Sequence, residues 1–546
     1  MAAMTLEALL KRAERAETKR QAFARLMQDC HAYALPERDS WNAYGYGQER
    51  TLKVYDSTAV VSTSRFANRL VGALFPSQQR WAQLTLPPEL DDDDVPQDVT
   101  GDLQAATNKL FAHIHASNFD VAINEWAQEM AAGTACLLIE NGRLATKRTR
   151  APLLRFQAVP AGKVGFDEGP FGAVEGVFYQ QTLPARVVRR TYPDAKQLPE
   201  CVTKAEKEDP DKEIQLLQCT YYDAEDDVFR FEVIEKGDKA RFVERTYQTM
   251  PWVIARWTKA PGETHGRGPL TQALPDIRTV NKLVELMLKS GSIAVAGVWT
   301  AVDDGVLNPA NVRLTPGSVN AVRSNGGNFG PSLKALEFPG NFQLNEAMQE
   351  KMQTRIRQVL FDNPLPPEVE VGLTATEVIE RVRRFQSDTG AFGRLYCDAV
   401  QPVIVRCLDI LEEAGQLASP RFAGLMKQLR NDAVRVRATG PLSQAQDQAD
   451  VQAVMQIVGG MASLGEFGAA MLRAAIDPEK AGRHVAERMG IPAKLVPTKD
   501  ELAEQRDQAA EQAQGAALLQ SPAIAQVAGA LAKGAVQGGA PEAEAA

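Results

Sequence analysis

Asp362-Asn363-Pro364-Leu365-Pro366-Pro367 leads into Gly372-Leu373-Thr374-Ala375-Thr376-Glu377-Val378, and this junction decides how the C-terminal third is read. Thr374 and Glu377 stand at capping-box spacing. The Thr374 hydroxyl accepts the Glu377 amide, and the Glu377 carboxylate reaches back to the Thr374 amide. Val378, Val382 and Phe385 then recur at helical spacing, with Glu380, Arg381, Arg383 and Arg384 between them. The stretch predicts a proline-stiffened loop followed by a long helix that runs past Gly390. Pro402 should kink that helix and Gly415 should end it.

Upstream, two helical stretches bracket a segment rich in Gly, Asn and Pro. The first runs from about 275 to 289, with Ile277, Val280, Leu283, Val284 and Met287 on one stripe and Gly291 closing it. The second runs from about 341 to 361, with Leu344, Met348, Met352, Ile356 and Val359 or Leu360. Residues 292–340 between them read as short strands and turns. Toward the N-terminus, helices are predicted over Thr5–Tyr33, Ser57–Phe75 and Gly101–Ala132. Strands are predicted at 81–86, 137–139 and 174–178, and alternating β segments between Glu213 and Trp257 turn at Gly237-Asp238. Downstream, helices are expected over 444–464 and 468–489, then a low-complexity tail from about 499. The fold class is α+β, predominantly helical.

The 546 residues, 44 % hydrophobic and 24 % charged, have the composition of a globular protein. A net charge of −8 and a pI near 5.5 argue against a protein that clings to nucleic acid, although DNA could still pass such a surface. Six cysteines without a CxxC pair are expected to be reduced thiols of an intracellular protein. No signal peptide is expected, since Lys11-Arg12 follows so early, and no apolar run reaches the roughly 18–20 residues that span a bilayer, so no membrane partner is predicted.

Chemistry is sparse. There is no phosphate-binding GxxxxGK[ST], and Gly266-Arg267-Gly268 lacks the third glycine of a dinucleotide fingerprint, so it reads as a turn or tight helix entry. His113 and His115, two apart on a helix, would diverge by about 200° and could not chelate one metal. His265 and His484 have no visible nucleophile partner. Asp91–Asp94 reads as a solvated loop and Asp303-Asp304 as a turn. No catalytic, cofactor or metal residues are predicted. The rival to a non-enzymatic reading is a metal-dependent nucleic-acid enzyme built on those carboxylates; a third reading is a structural scaffold without a DNA channel.

Taken in order, several blocks resemble the head-to-tail connector (portal) family of short-tailed bacteriophages. They are Leu70-Val71-Gly72-Ala73-Leu74-Phe75-Pro76 with Trp81, Gly266-Arg267-Gly268-Pro269 with Asp276-Ile277-Arg278, and Thr374 to Val378 with Gln401-Pro402-Val403. Tyr33-Ala34-Leu35-Pro36 and Ala132-Gly133-Thr134-Ala135 fit more loosely. The resemblance implies a ring of about twelve subunits, a dodecamer, around a central channel at one capsid vertex. It implies a wing body at 1–270, a first stem helix at 271–291, a clip at 292–340 and a second stem helix at 341–361. A tunnel loop at 362–373, a long wing helix and connection at 374–442, crown helices at 443–498 and a tail at 499–546 complete the division. Asn363, Pro364, Leu365, Pro366, Pro367, Glu368 and Glu370 would then be the channel-facing loop, with Thr374 and Glu377 capping the helix behind it. Without Lys or Arg between Asn363 and Leu373, that loop would repel phosphate rather than clamp it. The implied partners are other copies of the chain, double-stranded DNA, a terminase packaging motor, tail adaptors, and capsid and scaffolding proteins. The implied location is the virion, after assembly in the host cytoplasm.

Overall fold

The computed structural model describes residues 4–38, 54–85, 97–143, 151–296, 299–301, 333–335, 342–362, 391–417 and 435–439, with helical positions at 455–457, 460 and 482. The chain divides into two units: residues 1–85 with 105–445, and residues 86–104 with 446–546. The larger unit carries nearly all described elements. In chain order the helices are α1 (Leu6–Ala34), α2 (Thr58–Leu74), α3 (Gln97–His115), α4 (Phe119–Met130), α5 (Ala185–Thr191), α6 (Glu200–Glu208), α7 (Pro269–Ala296), α8 (Phe342–Val359) and α9 (Gln401–Glu413). The strands are β1 (Ala82–Thr85), β2 (Thr134–Asn141), β3 (Leu154–Val159), β4 (Val164–Glu168), β5 (Val174–Pro184) and β6 (Glu213–Asp223). After them come β7 (Val228–Glu235), β8 (Ala240–Tyr247), β9 (Trp252–Arg256), β10 (Trp299–Ala301), β11 (Leu333–Ala335) and β12 (Arg435–Ala438).

Strands β4 to β8 form an antiparallel meander in sequence order. Residues 216–221 of β6 are buried without a break because both faces are covered. On one face Leu217, Cys219 and Tyr221 meet Leu9, Ala13 and Ala16 of α1. On the other, Leu216, Phe231 and Val233 meet Val188 and Tyr192 of α5 and Val202 of α6. A second antiparallel sheet, in the order β3-β2-β9, packs Cys136, Leu138 and Ile254 against Phe166 and Val177 of the meander. Helix α9 joins this body through buried Arg406, which pairs with Asp409 at 2.8 Å and lies 4.4 Å over the Tyr247 ring.

Several sequence expectations shift. The stretch 101–132 is two helices, broken at Ser117-Asn118, where the Asn118 side chain takes and gives hydrogen bonds to the backbone of Phe156. α5 and α6 are short helices that periodicity did not reveal. Helix α7 starts at Pro269, not near 275, and runs through Gly291 to Ala296. Pro275 is tolerated within it because Leu270, Ala273 and Leu274 beneath are 0 to 3 % exposed, and their burial offsets the lost hydrogen bond. Ahead of Pro402 the backbone tightens to a 3₁₀ turn at Ala391–Leu395 and widens to a π turn at Tyr396–Val400, which absorbs the clash that a proline imposes one turn back. Gly415, at φ +66°, ends α9. The rest of the helix predicted from 374, and the helices predicted over 444–464 and 468–489 apart from the positions named above, lie outside the described residues.

Candidate functional site

The entry to α7 is built from three glycines in mutual contact. The Gly268 amide donates to the Ala132 carbonyl and the Leu270 amide to that of Ala131, each at 3.1 Å, while the Gly266 amide donates to Thr134 Oγ1 at 2.8 Å. A Cβ on Gly268 would lie 2.1 Å from the Ala131 oxygen, and one on Gly266 would lie 2.3 Å from the Gly133 oxygen. Gly133 itself has φ +130°. Two of the sequence blocks, Ala132 to Ala135 and Gly266 to Pro269, are therefore halves of one backbone contact that only glycine permits. His265 packs beside it between the rings of Phe166 (4.4 Å) and Phe23 (5.2 Å). Burial, helped by Arg20 and Arg256, pushes its imidazole down to about 4.

Helices α7 and α8 pack along each other, with Arg355 of α8 3.7 Å from Asp276 of α7. The segment before α2 ties both to the body. Asn281 Oδ1 accepts the amides of Tyr55 (2.8 Å) and Asp56 (2.9 Å), and Gln353 donates to the Asp56 carboxylate. Burial is confined to the body end. Among the described side chains, the fully buried positions of α7 end at Asn281, and α8 has one, Ile356, followed just past its end by Leu360. Away from the body the pair exposes Leu286 (51 %), Leu288 (60 %) and Met348 (43 %). Leu286 and Leu288, two positions apart, stand on nearly opposite sides of α7. Between the two helices in sequence, β10 and β11 pair antiparallel, Trp299 facing Ala335.

At the end of α8 the chain turns sharply. Phe361 sits at φ +55°, its carbonyl held by Arg69. The Asp362 carboxylate, 2 % exposed, accepts a hydrogen bond from Ser62 Oγ at 2.9 Å and pairs with Arg65 at 3.3 Å. Phe361, Phe392, Phe66 and Trp257 form one aromatic cluster, with Phe361 and Phe392 5.4 Å apart and Arg394 over the Trp257 ring. Phe361, before residues 363–390, and Phe392, after them, thus share one cluster.

Asn363, Pro364, Leu365, Pro366, Pro367, Glu368, Glu370, Thr374 and Glu377 lie outside the described residues, as do Arg381, Arg383 and Arg384. What the structure supplies is the anchor at both ends of that segment. Sequence reasoning missed it, although an aspartate set between a helix end and a proline-rich loop was the available signal. Trp81, part of a quoted block, is a core residue stacked on Phe119 and edge-on to Phe75. Asp91–Asp94, Asp303-Asp304 and His484 also fall outside the described residues. Among those described, one group has metal-ligand types within reach: Cys201, Glu235 and Asp238. There Glu235 is occupied by the amides of Gly237 and Asp238 at 2.9 and 2.6 Å, and burial with the neighbouring carboxylates pushes the Cys201 thiol up to about 12. That is a closed turn beside a protonated thiol. No helix among the described residues is long and apolar enough to cross a membrane.

Residues 6–496 match the family described as bacteriophage head to tail connecting protein. The sequence is 22 % identical over 419 residues to the portal protein of Enterobacteria phage T3, and over 416 residues to that of Escherichia phage T7, each alignment covering 72 % of both chains. Among solved structures, a chain from the neck of an empty gene transfer agent particle, computed with C6 symmetry, aligns over 80 % of this chain and 90 % of its own, at 10 % identity and a TM-score of 0.34.

Proposed function

This chain belongs to the bacteriophage head to tail connecting protein family, and on that premise we propose that α7 and α8 are the stem of a portal ring, with β10 and β11 in its clip. It is a portal protein, of a family that is structural and non-enzymatic. The supporting observation is the helix pair. It is clasped at one end by Asn281, Gln353 and Asp56, loses burial away from the body, and carries exposed leucines on two sides. A subunit flanked by identical neighbours on both sides needs apolar contacts on both, each repeated head to tail until the ring closes.

In this reading double-stranded DNA passes through the bore during packaging, retention and ejection. The segment beginning at Asn363 is the tunnel loop, held from behind by Asp362, Phe361 and Phe392. Its Glu368 and Glu370 set rings of negative charge near the phosphates, so DNA slides rather than sticks. The clip docks the terminase motor and later the tail adaptors, while residues 443–498 form the crown inside the capsid. Negative-stain electron microscopy of the purified full-length chain tests the ring, where particles of about twelve subunits with an open centre are expected. A uniform population of monomers at micromolar concentration, unchanged by capsid or scaffolding protein, would overturn it. Deleting 363–371 should leave rings intact and impair packaging or retention of DNA; unassembled monomers would contradict the loop's placement.

A further inference from the structure

The turn between β4 and β5, Gly169-Pro170-Phe171-Gly172, holds a phenylalanine where a turn needs none. Phe171 has φ +58° and ψ +14°, a left-handed conformation that suits Gly, Asn or Asp, and its side chain is as exposed as in a free peptide, at 108 %. The turn is braced. The Gly169 amide donates to Ala173 at 2.9 Å, Arg256 Nη2 donates to the Gly172 carbonyl at 2.9 Å, and Glu168 binds both Arg256 and, at 2.6 Å, Lys259. Those neighbouring charges are paired with one another, so the tip offers a phenyl ring on a rigid mount. A strained backbone and an unburied aromatic are both unfavourable in the isolated chain, and a partner that covers the ring would offset both.

The same chain carries a recess of suitable chemistry. On the exposed face of α8, an open hollow is lined by Ala347 and Thr354 with Glu350, Lys351, Arg355 and Gln358. Small side chains give a ring room, and the Lys351 ammonium favours the negative face of an aromatic. Phe171 does not fill this hollow in its own chain, since nothing covers it. We propose that Phe171 is a subunit-contact anchor that seats in the α8 hollow of the neighbouring copy. Unlike knob and recess on one chain are what a head-to-tail contact requires, and a preformed apolar knob suits an interface buried permanently at assembly. The inference rests on the ring reading above and adds a specific contact to it.

The test places the photo-crosslinking residue p-benzoylphenylalanine at position 171 of the full-length protein and irradiates isolated rings. Covalent dimers are expected, with the crosslinked peptide mapping to residues 347–358 of the second copy. Phe171→Ala should raise the subunit concentration for half-assembly roughly tenfold to a hundredfold, the loss expected for one buried phenyl ring. The thermal unfolding of the Phe171→Ala monomer should not change, while Phe171→Gly, which also relieves the backbone, should weaken assembly to the same extent and raise the monomer's unfolding midpoint. Wild-type rings that give no crosslink to a second copy, a crosslink that maps elsewhere on it, or capture of a different protein would each overturn the anchor while leaving the ring standing. Wild-type protein that forms no rings would remove the ring reading and the anchor with it.

Discussion

Replacing Asp362 by alanine tests whether the re-entrant segment is held from behind. The carboxylate has two partners of unequal worth. Ser62 is 1 % exposed and loses the acceptor of its hydroxyl, a charged hydrogen bond whose removal costs about 1.5–3 kcal/mol. Arg65 is 58 % exposed and can turn into water, so its share is at most about 1 kcal/mol. The sum is about 1.5–4 kcal/mol, a roughly tenfold to nine-hundredfold change in a local opening equilibrium. Asp362→Asn keeps an acceptor for Ser62 and removes only the charge, so it should cost about 1 kcal/mol. Native-state hydrogen exchange reads the difference. The amides of Phe361 and Asp362, bonded to Gln358 at 3.1 Å and Arg357 at 2.8 Å, should lose protection in the order wild type, Asn, Ala. Equal protection in all three, within about threefold, would mean that the carboxylate holds nothing in place.

Gly268→Ala drives a Cβ into two backbone groups, and it should cost about 3 kcal/mol in thermal unfolding, whereas Gly72→Ala, in open space on α2, should be neutral or stabilising. Leu286→Arg with Leu288→Arg should abolish rings in size-exclusion chromatography while circular dichroism of the monomer is unchanged. His265 adds a pH dependence. Its folded value, about 4, lies below the ordinary 6.5, so the unfolded chain takes the proton first as pH falls. Its contribution is intact above 6.5 and is lost as pH drops toward 4, by about 3 kcal/mol in all. Unfolding midpoints of wild type and His265→Gln should therefore converge on acidification through that window, and parallel curves would refute the assignment.

Local signals were legible wherever a cap or a turn determines them. Thr5 caps α1 through its hydroxyl, α2 ends just ahead of Pro76, and Gly415 ends α9, as residue type suggests. The Gly266 to Pro269 turn was readable as a tight helix entry, but its partner Gly133 was not, because the contact spans 133 positions to Gly266 and has no periodicity. Pro275 misled the start of α7, since the rule that proline opens a helix says nothing about burial one turn earlier. The break between α3 and α4 was written in Ser117-Asn118, yet the apolar stripes on either side masked it. Least legible was the anchor. Phe66, Trp257, Phe361 and Phe392 come from four distant stretches, and only the folded chain brings their rings within about 6 Å of one another.

That anchor has a consequence for how the chain can vary. Because Phe361 and Phe392 share one cluster, the two points that residues 363–390 join lie side by side. For a flexible connection between two such fixed points, each doubling of length costs only about 0.6 kcal/mol of closure entropy. The body on either side does not have to move. Changes of length between those two points can leave the seats of Asp362 and Phe392 as they are.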